Sequence, residues 1–166
     1  MIINEGIGDK PTHVYKNLIN LKFLFSILCL IVLLIIWQTY DNNIFIGLKI
    51  NAKYGDKEYK EAWRWIISSL IIFSVFISFD LLIQITGVTY NFYRLNAINL
   101  SLKIFELFLL SLFFLDSWHY IILLYIFFFT QFFCTILEVS AIVISLCITF
   151  KKYNKIRNFE VKSRYQ

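Results

Sequence analysis

Four long apolar runs alternate with polar stretches along the chain: Leu21 to Trp37, Trp65 to Ile85, Leu95 to Leu115 and Ile121 to Phe150. A helix needs about 20 predominantly apolar residues to cross the hydrocarbon of a bilayer. With their flanks the runs meet that length, which predicts helices over about 21–40, 63–85, 95–115 and 121–150. Amphipathic rings mark several ends (Trp37, Trp63, Trp65, Trp118, Tyr120), as expected at the headgroup layer. Gly55-Asp56 reads as a turn and N-cap that lets the second helix begin near Lys57. Thr86-Gly87-Val88-Thr89 ends that helix, and Asp116-Ser117-Trp118 makes a tight turn into the fourth. Residues 1–20 read as a short polar tail and 151–166 as a basic one.

Composition agrees with this pattern. A chain of 166 residues that is 59% hydrophobic cannot bury so much apolar surface in a water-soluble core, so the fold class is all-α, a bundle of four transmembrane helices. A single Pro and five Gly favour uninterrupted helices, and the short alternating segments of a barrel are missing. Cys29, Cys134 and Cys147 all fall inside apolar runs, where they pack rather than form a disulfide framework.

Charge sets the expected orientation. The N-terminal tail, the second loop and the C-terminal tail fall on one side and carry Lys10, Lys16, Lys22, Arg94 and six basic tail residues. The first loop balances its basic residues with acids, and the third loop has no Lys or Arg. The basic side is expected to be cytoplasmic, with both termini inside. Lys151, Lys152, Lys155 and Arg157 form a candidate surface for anionic lipid headgroups, although a plain orientation signal explains them equally well.

Polar residues within the runs fall at helical spacing. Asn96, Asn99, Lys103 and Glu106 recur on the third helix, Gln131, Thr135, Glu138 and Ser145 on the fourth, and Asp80 and Gln84 on the second. Residues three and four apart share a face, so each helix has one polar stripe. The first run shows none, which predicts that helices two, three and four pack stripe to stripe with helix one outside. Lys103 is then the one basic side chain inside a span, opposite Asp80, Glu106 and Glu138. Such a network of Asp80, Gln84, Asn99, Lys103, Glu106 and Glu138 serves either as interhelical glue or as an ion or proton path. Other chemistry is thin. His13 and His119 lie on opposite sides, and no nucleophile elbow, P-loop or metal-ligand set is present. Neither an enzymatic activity, a cofactor nor a nucleic-acid partner is expected.

The order of these elements resembles the transmembrane protein 107 family, four-span proteins of the ciliary transition zone. The residues that carry the resemblance are Trp37 with Asp41-x-Asn43-Ile44, then Asp80-Leu81 with Thr86-Gly87-Val88-Thr89. Asp116-x-Trp118, Tyr125-Ile126-Phe127 and Glu138 follow. Asp80 stands where the family has Glu, and Cys134 where it has a proline. The resemblance implies a non-enzymatic scaffold in the lipid bilayer of the transition zone. It also implies a role in cilium assembly and the diffusion barrier, within the Meckel-syndrome module of tectonic and B9-domain partners. The alternative from the residues alone is a small four-span transporter or proton-conducting channel that uses Asp80, Lys103, Glu106 and Glu138.

Overall fold

The computed structural model describes residues 12–48 and 56–164. Its long helices are α1 (Thr12–Gly47), α2 (Lys57–Thr86) and α3 (Tyr93–Leu115). The last span is composite: α4 (Ile122–Phe127), one wide π turn (Phe128–Phe132) and α5 (Phe133–Arg164). No strand occurs among the described residues. Among the described residues, four stretches are long and apolar enough to cross a membrane: Asn17–Gly47, Lys57–Thr86, Tyr93–Leu115 and Ile122–Lys151. Most of each span faces outward, and those outer faces are apolar, as with Leu34, Leu82, Phe108 and Phe129. That is the inverse of a soluble bundle, and lipid is the solvent it suits.

The connections follow from local chemistry. Asp56 stands in extended conformation just before α2. Gly87 closes α2 in the left-handed region, at φ 69°, and donates its N–H to the Gln84 carbonyl at 3.2 Å. A side chain there would meet its own carbonyl, which is why the position suits glycine. A 3₁₀ turn (Val88–Asn91) then leads into α3. Between α3 and α4, Ser117 takes a positive φ of 48°, so the chain reverses within a few residues.

The packing corrects two expectations. α1 begins at Thr12, inside the stretch read as a tail, and it is not peripheral. It lies against both α2 and α3 along its length. Lys22, Ser26, Cys29, Leu33, Ile36, Asn43 and Ile44 are buried in the bundle, and their spacing is that of one helical stripe. The first run does carry an inward stripe. Only its two ends are polar, and its middle looks like any lipid-facing sequence.

The interior is layered. Its middle is apolar, with Leu33, Ile36, Leu70, Phe73, Leu110, Phe113, Leu123 and Phe127 fully or nearly fully buried. Phe127 meets Phe73 and Phe76 edge to ring, at centroid distances of 5.5 and 5.1 Å. Buried polar groups fill the bundle on the side of the α2–α3 turn. Aromatic and polar residues close the opposite end.

Candidate functional site

The buried polar groups join every span, and two clusters organise them. In the first, Lys22 donates from α1 to Glu138 Oε1 of α5 and to Asn96 Oδ1 of α3, the latter at 3.3 Å. Asn99 Nδ2 donates to the same Glu138 oxygen at 2.8 Å. Asn96 Nδ2 donates to the Thr89 carbonyl at 2.8 Å, tying α3 to the turn before it. Gln84 Nε2 reaches Ser26 Oγ of α1 at 3.2 Å.

The second cluster lies deeper and centres on Lys103. Its Nζ is 3.1 Å from Asp80 Oδ2 and 3.3 Å from Glu106 Oε2, and it also donates to Gln131 Oε1. Gln131 sits in the π turn, where the widened helix directs both Thr130 and Gln131 inward. Thr130 Oγ1 donates to the Ile126 carbonyl at 2.7 Å and Thr135 Oγ1 to that of Gln131 at 3.0 Å. These hydroxyls lie beside backbone groups in the wider turn. Cys29 Sγ donates to the Lys103 carbonyl at 3.8 Å, which adds α1 to this cluster.

Asp80, Lys103, Glu106 and Glu138 are 0% exposed and Lys22 is 1% exposed. The predicted network residues Asp80, Gln84, Asn99, Lys103, Glu106 and Glu138 are all buried, but they do not share one lysine. Lys103 holds Asp80 and Glu106, whereas Glu138 belongs to Lys22. The expectation that Lys103 is the one intramembrane cation is therefore wrong. Lys22 looks like an interfacial residue because it stands at the very start of the first apolar run. It enters the bundle because a carboxylate waits for it. The spacing Lys22-Ser26-Cys29-Leu33-Ile36 is the signal that could have found it.

The family-motif residues divide between structural roles and the surface. Asn43 Nδ2 donates to the carbonyls of Phe113, at 3.3 Å, and Trp118, at 2.8 Å, so α1 holds the α3–α4 turn from outside. Asp41 accepts the Tyr59 hydroxyl at 2.7 Å, and Trp63 Nε1 donates to Tyr40 at 3.2 Å. Gly47 lies so close to His119 and Tyr120 that a Cβ there would come within 2.8 Å of the Tyr120 ring. Gly87 caps α2 as described. Asp116 ends α3 at the surface, with its N–H donating to the Leu112 carbonyl at 2.9 Å. Tyr125 is exposed and faces outward.

Of the candidate headgroup residues, Lys151 is exposed on α5. The side chains of Lys152, Lys155 and Arg157 lie outside those described, although their backbone continues the helix. Among the described residues no group of His, Cys, Asp and Glu is placed to hold a metal ion. Cys29, Cys134 and Cys147 are free thiols.

The arrangement therefore does one thing clearly: it crosslinks four membrane spans from within. The model of the TMEM107 family, described as a transmembrane protein, matches residues 18–142, most of the chain. No curated protein and no solved structure gives a significant match.

Proposed function

The chain belongs to the TMEM107 family of transmembrane proteins, and from that premise we propose that it is a non-enzymatic membrane scaffold of the ciliary transition zone. In this reading it supports cilium assembly and the diffusion barrier that controls ciliary membrane composition. Its partners are the tectonic and B9-domain components of the Meckel-syndrome module. Both termini are cytoplasmic, and the basic end of α5 lies against anionic lipid.

One observation carries the choice of a scaffold. The charged side chains inside the bundle are at most 1% exposed; Lys22 pairs with Glu138 and Lys103 with Asp80 across helices, and Lys103 also holds Glu106 on its own helix. Polar contacts of that kind fix the rotation and register of helices that lipid alone would leave free to slide. A fixed bundle presents constant outer faces, which is what a membrane scaffold requires.

The transport reading draws on the π turn at Gln131, since such turns often mark functional sites. A path needs water or an ion to reach the charges, and their burial weighs against that. The test is location: a tagged copy expressed at native level is expected to form a ring at the ciliary base. An even distribution over the plasma membrane, or residence in an internal organelle, would overturn the scaffold.

A further inference from the structure

The buried charges among the described residues do not balance. Lys22 and Lys103 supply two positive charges, and Asp80, Glu106 and Glu138 supply three negative ones. The excess is local. Lys22 and Glu138 form a matched pair in charge; Asn99 also donates to Glu138 Oε1, and Asn96 Oδ1 accepts from Lys22. Lys103 instead faces two carboxylates, at 3.1 and 3.3 Å from the same nitrogen.

The unpartnered atoms identify what would balance it. Among the described residues, the buried side-chain atoms that accept no hydrogen bond are Asp80 Oδ1 and Oδ2, the latter in the ion pair with Lys103, Gln84 Oε1, Asn99 Oδ1, Glu106 Oε1 and Glu138 Oε2. Every one is an acceptor oxygen, and three of them belong to the two carboxylates around Lys103. The interior has more acceptors than hydrogens to give them. An uncompensated carboxylate deep in a membrane span is expensive, and two carboxylates sharing one site do not both ionise readily.

We infer that the Asp80–Glu106 pair binds one proton, held as the O–H of one of the two carboxyl groups beside the Lys103 ammonium. The proton comes from water, and forming that O–H bond brings the interior to neutrality. It also supplies one hydrogen-bond donor to a pair whose carboxylate oxygens include unpartnered ones. Because the carboxylates are coupled through one ammonium, the proton belongs to the pair and not to either residue alone. The other polar groups around the pair leave the count unchanged. Gln131 and Gln84 are neutral amides, and Cys29 and Cys134 are buried thiols. This site is independent of the scaffold reading, since its occupancy is a property of the isolated protein.

Infrared spectroscopy of the full-length protein in nanodiscs at neutral pH tests the assignment directly. Difference spectra with heavy-carbon-labelled Asp and Glu carboxyls remove the lipid ester absorption. The wild-type protein is expected to show the carbonyl stretch of one protonated carboxyl. Asp80→Asn and Glu106→Gln should each abolish it, Glu138→Gln should leave it, and Lys103→Met should double it. A wild-type spectrum with no such band would overturn the proposal without recourse to any variant. So would a band lost in Glu138→Gln but kept in the other two. A band that appears only when choline replaces sodium would show that a metal cation fills the place of the proton, which also overturns it.

Discussion

Lys22 of α1 donates a hydrogen bond to the carboxylate of Glu138 in α5, joining side chains 116 positions apart. Both are buried, so neither water nor a headgroup replaces the lost partner if one is removed. Breaking such a pair from one side costs about 3–5 kcal/mol. Lys22→Met is therefore expected to destabilise the bundle by an amount in that range, and adding Glu138→Gln should recover much of it. Denaturant unfolding in bicelles, arranged as a double-mutant cycle, measures the coupling. Additive effects would separate the two residues.

Gly87 gives a smaller and purely local effect. A non-glycine residue in the left-handed region costs about 1–2 kcal/mol, so Gly87→Ala should lower stability by about 1 kcal/mol. Gly87→Asn should cost less, because Asn tolerates that conformation. Thermal unfolding of the two variants in detergent checks the order.

Topology is read from charge, and it is open to a direct test. A glycosylation acceptor inserted beside Lys57 should be modified, and one inserted beside Lys162 should not. The reverse pattern would invert the bundle.

The basic end of α5 is expected to act through charge. Each Lys or Arg near an anionic surface contributes up to about 1 kcal/mol. Changing Lys155, Arg157, Lys162 and Arg164 together to Gln should weaken recovery of the ring at the ciliary base while leaving insertion unchanged. Equal location and abundance would leave the tail with orientation alone.

The sequence made the spans and the inward faces of α3 and α5 legible because polar residues stand out against long apolar runs. Asn96, Asn99, Lys103 and Glu106 recur at helical spacing, and all four are buried. The stripe of α1 was hidden for the opposite reason. Between Ser26 and Tyr40 its inward residues are Cys29, Leu33 and Ile36, which are apolar like the lipid-facing positions beside them. Lys22 alone looked like a span boundary. Pairing was harder still: Asp80 and Glu138 stood at similar depths from Lys103, and only the position of α1 decides that Glu138 goes to Lys22. The π turn has no Gly or Pro to announce it, and it shows only as two adjacent residues, Thr130 and Gln131, both turned inward.

The claim that these charges hold the bundle together, and do not conduct, is tested most directly at Lys103 and Asp80, whose atoms lie 3.1 Å apart. The measurement is the abundance and ciliary-base localisation of Lys103→Met, alone and combined with Asp80→Asn or with Glu138→Gln. The single variant should lose both abundance and the ring. Asp80→Asn should restore both together, and Glu138→Gln, whose partner is Lys22, should restore neither. Recovery of abundance in Lys103→Met with Asp80→Asn, without recovery of cilium assembly, would contradict the account and favour a transport role.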